Sequence, residues 1–496
     1  MHYKFMLRSH QKRMGAYYTP DAVAESLVRW VIRKPDDRLL DPSCGDGRFI
    51  AGHRLSVGIE QDPEAATVAM ARAPWALVHD GDFFAWASET KERFECAAGN
   101  PPFIRYQTFK GEVRERAQRL CARLGANFSG LASSWAPFLV AAASLLKPGG
   151  RMAFVVPAEI GHAPYSAPLI EYLLDRFGRV HVIAVQKKLF PDLSEDCWLL
   201  FADGAGDRTD SIELSILGRF ECSSEPPRPT LSIPADEWRN VWNRRIRPFL
   251  MLKDARDLYR EIAQHPASRR LGEIASVGIG YVSGANDFFH LRPSDADRFG
   301  IPESLLHPAV RSARTLPARA VTKDIVESWR RADEPILLLR LPKDIELPRS
   351  VQRYIDTDRG QAARLAYKCR NRKPWWSVPD VQVPDLFLTY MSGVSPSLVR
   401  NAAGCTCTNS VHSVRLKDWR ANPTTLSRLF ESPFVQLSCE IEGHPLGGGM
   451  LKLEPGEATQ IVVPFSRLPL DVHTQIMSDA IVEMRRWRHY ENLPLQ

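Results

Sequence analysis

Between residues 20 and 205 short apolar runs alternate with stretches patterned for helix, and this alternation restricts the fold more than any other feature. DAVAESLVRWVI (21–32) reads as a helix opening at Pro20-Asp21. RLLDPS (38–43) reads as a strand running into the glycine-bearing loop CGDGRF (44–49) and a helix to His53. SVGIEQDP, ALVHDGDFF and FECAAGNPPF supply three further strands, with PEAATVAMARA as a helix after the first of them. SSWAPFLVAAASLLKPGG (133–150) reads as a long apolar helix ended by its glycines. RMAFVVP, RVHVIAVQ and CWLLFADG then complete seven strands. Such alternation predicts an α/β fold: a doubly wound, mostly parallel, seven-stranded sheet covered by helices.

Ligands of such sheets bind outside the carboxyl ends of the strands, so the residues at those ends carry the chemistry. The first strand ends in Asp41-Pro42-Ser43-Cys44-Gly45-Asp46-Gly47, the second in Glu60-Gln61-Asp62, the third in Asp80-Gly81-Asp82-Phe83, and the fourth in Asn100-Pro101-Pro102-Phe103. The four ends are expected along one rim in that sequence. A dinucleotide site would present G-x-G-x-x-G and a helix N-terminus to a pyrophosphate. The loop here lacks that spacing and carries two carboxylates, Asp41 and Asp46, which would repel phosphate. A nucleoside with a cationic tail suits it better: S-adenosylmethionine has a sulfonium, no phosphate, and an ammonium that a carboxylate can take. Glu60 is then placed for the ribose hydroxyls, Asp82 for the adenine amino group and Phe83 for the adenine ring.

Asn100 to Phe103 suit a planar acceptor that bears an amino group. The Asn100 side-chain oxygen and the Pro101 carbonyl provide two acceptors, and proline's fixed φ presets the carbonyl. Phe103 provides a stacking face, an interaction worth roughly 1–3 kcal/mol per base. With the amino hydrogens held and the nitrogen lone pair turned to a sulfonium, catalysis rests on positioning and electrostatics and needs no strong base.

In their order and spacing, Thr19 in GAYYTP, DPSCGDGRF, VGIEQDP, DGDFF, NPPFIRY, LLKPGGRMAFVVP and KKLFP resemble class I adenine-N6 DNA methyltransferases of the gamma arrangement, from type II restriction–modification systems. The resemblance covers about the first 205 residues. It implies a methyltransferase sheet that binds S-adenosylmethionine and a target-recognition domain behind it. It places Thr19, Asp41, Pro42, Ser43, Cys44 and Gly45 around the methionine end of the cofactor, Glu60 on the ribose, Asp82 and Phe83 at the adenine, and Pro102 close to the cofactor. It also implies that Asn100 and Pro101 hold the target amino group, while Phe103 stacks on the flipped base and Phe190 in KKLFP closes on it from another side. Cys44 occupies a small-residue position and is not read as a nucleophile. A paired adenine cannot reach a sulfonium in a cleft, so base flipping is required. The expected partners are double-stranded DNA and a separately encoded restriction endonuclease, with the enzyme itself a monomer. The cofactor motifs begin at residue 15, so no nuclease domain is expected upstream of them.

Regularity breaks near residues 203–240, where SSEPPRPTLSIP is rich in Pro and Ser. The expected division is a catalytic domain over 1–220, a linker over 221–240 and a mixed α+β DNA-recognition domain over 241–496. In the last of these, Asn286 in SGANDFF and Arg370, Arg372 and Lys373 in KCRNRK are candidate DNA contacts, with Trp375 and Trp376 expected in a core. SDAIVEMRRWRHYEN near the end reads as a helix with a basic end. Two other functions share parts of this pattern: an RNA amino-group methyltransferase and a non-catalytic DNA-binding subunit. The second half matches DNA recognition better than a compact RNA module, and the intact Asn100–Phe103 set argues against the non-catalytic subunit.

Composition adds limits. The net charge of +7 is compatible with a polyanionic partner, and no run approaches the length of a membrane span. Nine cysteines scattered through apolar runs fit reduced thiols and a cytoplasmic location. Cys405 and Cys407 have no second pair at zinc-finger spacing, so no metal is expected.

Overall fold

The computed structural model describes residues 19–465 and 472–490, apart from 131, 192, 194, 345 and 418–421. Residues 15–18 of the GAYYTP motif lie outside the described residues. The chain divides into two compact units, Met1–Leu250 and Met251–Gln496.

Unit 1 is built on β1 (Leu39–Asp41), β2 (Ser56–Glu60), β3 (Leu77–Asp80), β4 (Phe94–Gly99), β5 (Leu146–Pro157), β6 (Phe177–Val185), β7 (Cys197–Ala205), β8 (Ser211–Leu217) and β9 (Leu231–Pro234). Its helices are α1 (Asp21–Val31), α2 (Pro63–Arg72), α3 (Phe83–Glu89), α4 (Gly111–Leu124), α5 (Trp135–Ser144), α6 (Ala167–Leu174) and α7 (Ala235–Asn240). The strands form one sheet in the order β3-β2-β1-β4-β5-β7-β6-β8-β9. Pairing is parallel from β3 through β5, and β7 runs antiparallel between β5 and β6. Buried parallel strands need apolar side chains on both faces. That is why β4 reads FECAAG, with all but Glu95 buried.

Three expectations change. The rim does not follow chain order; it runs Asp82, Glu60, Asp41, Asn100, because the second and third strands lie on one side of β1 and the fourth on the other. The sheet has nine strands. Two of them come from the region beyond 205, where Leu231–Pro234 pairs with β8 and buries Ile233, while Trp238 on α7 is also buried. Residues 221–240 are therefore partly sheet and helix of unit 1 and not a free linker, since Ile233 and Trp238 find apolar cover there. Finally, the glycines of KPGG do not end a helix. α5 stops at Ser144, and Lys147–Gly150 already belong to β5, which meets β4 across a register shift between Phe94 and Cys96.

Unit 2 is a mixed α+β structure. A five-stranded sheet joins Ala275–Ile279, Val411–Leu416, Leu386–Thr389, Leu398–Asn401 and Ala320–Val321 in that order. A four-stranded sheet joins His290–Leu291, Leu337–Leu339, Leu306–Val310 and Thr406–Cys407. Their shared core includes Tyr281, Phe288, Phe289, Tyr354, Phe387, Cys405 and Cys407, with Trp375 and Trp376 packed against its edge. No helix among the described residues is long and apolar enough to cross a membrane.

Candidate active site

The sheet reverses direction of growth between β1 and β4, and the crevice of a doubly wound sheet opens at such a point. Asp41 ends β1 on one side of it and Asn100 follows β4 on the other. They are coupled through the Ser43 hydroxyl, 3.4 Å from the Asn100 carbonyl oxygen to which it donates. Gly99 makes this closeness possible: a Cβ there would sit 2.6 Å from Asp41 Oδ1.

Asp41 is fully buried. Its Oδ1 accepts from Ser43 N at 3.1 Å, and its Oδ2 is buried with no hydrogen-bond partner. Burial, opposed in part by the Ser43 N–H and reinforced by Glu60 and Asp46, pushes its pKa up to about 8. A buried carboxyl in this condition favours a cationic ligand, which would supply the missing donor and restore the charged form. The residues present therefore fit S-adenosylmethionine through its ammonium, and they do not fit a pyrophosphate.

Glu60 shapes the glycine loop. Its Oε2 accepts from Gly45 N and its Oε1 from Asp62 N, both at 2.8 Å, so one carboxylate fastens two strand exits. The loop then turns at Gly47, whose φ of +86° and 2.9 Å approach of a Cβ to the Ala69 Cα both require glycine. Asp46 differs from Asp41, the other loop carboxylate expected to repel phosphate. Its carboxylate is neutralised by Arg48 at 3.2 Å and Arg72 at 2.7 Å, and Arg48 also donates to the carbonyl of buried Thr19 at 2.9 Å. Cys44 is buried against Gly58, and burial pushes its thiol pKa up, so it is a packing residue.

Asp82 caps α3, its Oδ1 accepting from Ala85 N at 2.8 Å, and its Oδ2 lies 3.5 Å from Arg116 Nη1. Phe83 is 3% exposed and stacks on Phe138 at 5.3 Å, inside an aromatic group with Phe84 and Trp86. Its ring is thus core. What it leaves toward a ligand is its backbone N–H in the first helical turn, where no intrahelical acceptor exists.

The Asn100–Phe103 loop is held by a residue that sequence reading passed over. Buried Ser134, just before α5, donates its hydroxyl to the Pro102 carbonyl and accepts from Ile104 N at 3.0 Å, while its own N–H donates to the Ile104 carbonyl at 3.0 Å. The only sequence signal was a Ser preceding an apolar helix, which reads as an ordinary cap. Phe103 packs on the same apolar cluster as Phe190, itself 7% exposed, so the two aromatics expected to flank a base lie in one neighbourhood. Beyond β5, Glu159 accepts from the Tyr165 hydroxyl, which accepts from Trp135 Nε1 at 3.0 Å. Arg105 pairs with Glu195 at 2.6 Å. Burial raises the Glu159 pKa, opposed by the Tyr165 hydrogen bond and by Arg105.

In unit 2, Asn286 is exposed, its Oδ1 accepting from Ser283 Oγ at 2.5 Å. Arg370 and Lys373 are also exposed. Arg372 is not available to DNA as expected: it donates to the carbonyls of Ser283 at 2.6 Å and Val282 at 2.5 Å, because two backbone acceptors lie under it. The basic end of the last helix also turns inward, onto Glu440. No cluster able to hold a metal occurs among the described residues.

A sheet ordered 3-2-1-4-5-7-6 with its seventh strand reversed, carrying an acidic glycine loop at the switch point, defines a class I S-adenosylmethionine-dependent methyltransferase. The family model for the C-terminal domain of the type II methyltransferase M.Eco57I matches residues 243–491, that for the Eco57I restriction-modification methylase matches 59–190, and that for N-6 DNA methylases matches 2–69. The chain belongs to the M.Eco57I family of type II methyltransferases, and it is an N6-adenine DNA methyltransferase of the restriction–modification kind. Type II methyltransferase M.XamI of Xanthomonas campestris pv. amaranthicola is 26% identical over 91% of this chain and 85% of its own length. M.AccI of Acinetobacter calcoaceticus is 20% identical over 98% and 91%. Among solved structures, the type IIG restriction endonuclease BpuSI aligns with a TM-score of 0.44 and 16% identity, over 95% of this chain and 61% of that one.

Proposed function

We propose that unit 1 binds S-adenosylmethionine along the rim from Asp82 to Asp41 and receives a flipped adenine at Asn100–Phe103. The observation that carries this reading is the pairing across the switch point of a buried, half-satisfied carboxyl, Asp41, with the Asn100 loop. Asp41 takes the ammonium, Glu60 faces the ribose from the loop it fastens, and Asp82 with the Phe83 N–H faces the adenine edge. The cofactor supplies an electrophilic methyl group on a sulfonium. The chain's own work is to hold and orient: Asn100 Oδ1 and the Pro101 carbonyl accept the two hydrogens of the target amino group, leaving its lone pair for the methyl carbon. Phe103 stacks on the base, Phe190 closes its other side, and Ser134 keeps the loop at one height. Pre-set acceptors of this sort lower the barrier without a base of high pKa.

We read the setting as cytoplasmic, a monomer acting beside a separately encoded endonuclease; its nine cysteines are all free thiols. Transfer of tritiated methyl groups to mixed-sequence duplex DNA, recovered as N6-methyladenine, tests the function, and no incorporation across diverse DNA would refute it. Asn100→Ala is expected to reduce transfer by at least about a hundredfold, the scale of losing an oriented electrostatic contact, while cofactor binding by calorimetry persists. An active Asn100→Ala protein would mean that the amino group is held elsewhere.

A further inference from the structure

Residues 349–373 concentrate the charge of the chain. They carry eight Arg or Lys against two Asp, a net of +6 when the whole protein has +7. The segment folds as three short helices, Arg349–Ile355, Asp358–Leu365 and Tyr367–Arg370. Their apolar side chains, including Val351, Tyr354, Ala363 and Cys369, enter the core of unit 2. Seven of the eight basic side chains are exposed, and of these only Arg359 has an acidic partner among the described residues, Asp295 at 3.1 Å.

An ordinary solvated face looks different in this same unit. The helix Lys253–Gln264 alternates three basic with three acidic residues, and its charges pair locally, Lys253 and Arg260 both with Asp257. Uncompensated cations repel one another and favour a polyanion. Two apolar side chains also stand among them: Leu365 is 76% exposed and Tyr367 is 67% exposed, with the Arg370 guanidinium 5.3 Å from the Tyr367 ring centroid. Water gains nothing from these side chains, whereas a stacked or unstacked base does. Arg372, by donating to Val282 and Ser283, fixes the segment against the loop that carries exposed Asn286.

We propose that residues 349–373 are the surface by which unit 2 grips duplex DNA, with Arg353, Arg364 and Lys368 on phosphates and the Tyr367–Arg370 pair entering a groove. This rests on the DNA-methyltransferase reading above, and extends it from a few candidate residues to one folded, charged face.

The test uses the full-length protein and a mixed-sequence duplex that the unmodified enzyme methylates. Binding is followed over a salt series for the unmodified protein and for the combined Arg353→Gln, Arg364→Gln, Lys368→Gln variant. Each phosphate contact removed is expected to reduce the slope of log K against log salt by about 0.9. The KM for DNA should rise, and cofactor affinity and thermal midpoint should stay as they were. Tyr367→Ala is expected to lower methylation of the specific site more than it lowers non-specific binding. A combined variant with an unchanged slope and KM would overturn the assignment and leave the methyltransferase reading standing. An unmodified enzyme that transfers no methyl group to any duplex would strike that reading itself.

Discussion

Fully buried Asp41 has one oxygen on Ser43 N and the other without a partner. With its pKa pushed up to about 8, it carries a proton at neutral pH until a cation arrives. The sign for stability follows. An acid whose folded pKa lies above its ordinary value of 3.8 gives stability that is fully present below about pH 4 and is lost as pH rises through about 8. For the cofactor the dependence is reversed: binding its ammonium expels the proton, so affinity should rise with pH, by at most about tenfold per unit, up to about pH 8. Calorimetry in buffers of different ionisation heat should show one proton released at pH 6.5, and Asp41→Asn should bind weakly with no such release. A pH-independent affinity would exclude this coupling. At this scale the acids and the Asn100 quartet were legible because each ends an apolar strand. The Arg72 pair on Asp46, the Ser134 bracket and the inward turn of Arg372 were not, since each depends on a partner 26 to 90 positions away that no local pattern marks.

Elements place these residues, and the start of α5 places the most important of them. The Ser134 side chain hydrogen-bonds on both sides of Phe103, to Pro102 and to Ile104. Ser134→Ala would leave that carbonyl and N–H without their partner, costing about 1–3 kcal/mol. The same change would let the loop drift from the height at which Asn100 and Phe103 meet a base. Denaturant unfolding should therefore show a loss of that size, and kcat should fall while cofactor affinity holds; an unaltered kcat would remove Ser134 from the positioning of the loop. Helices α3, α4 and α6 were not marked by the periodicity, but the strands through β7 were readable from it. Two boundaries were not. KPGG has the composition of a helix stop, yet the pairing of β5 with β4 claims it, and SSEPPRPTLSIP has the composition of a linker, yet Ile233 and Trp238 draw its continuation into unit 1. In both places tertiary burial outweighed local turn chemistry.

The molecule as a whole has two units, one built on the nine-stranded sheet and a second that carries the concentrated positive charge on its own core. The stability of that second unit depends on a buried ion pair that the sequence showed only as a basic helix end. Arg488 donates to both oxygens of Glu440, at 3.1 and 2.8 Å, and to the carbonyls of Gly449 and Val394, with Arg485 3.7 Å from the same carboxylate. The helix Val472–Arg486 and the segments at 394 and 449 are thereby tied to the buried helix Pro433–Glu442. Removing one partner of a buried, hydrogen-bonded pair costs about 3–5 kcal/mol. In a unit of this size that lowers the midpoint on the order of 10 °C. Calorimetric scans should therefore resolve two transitions: Arg488→Ala should lower the one belonging to residues 251–496, and saturating S-adenosylmethionine should raise the other, since a ligand stabilises only the fold that binds it. A single transition that moves as one under both perturbations would show that the two cores unfold together, and that a loss in unit 2 is a loss in unit 1 as well.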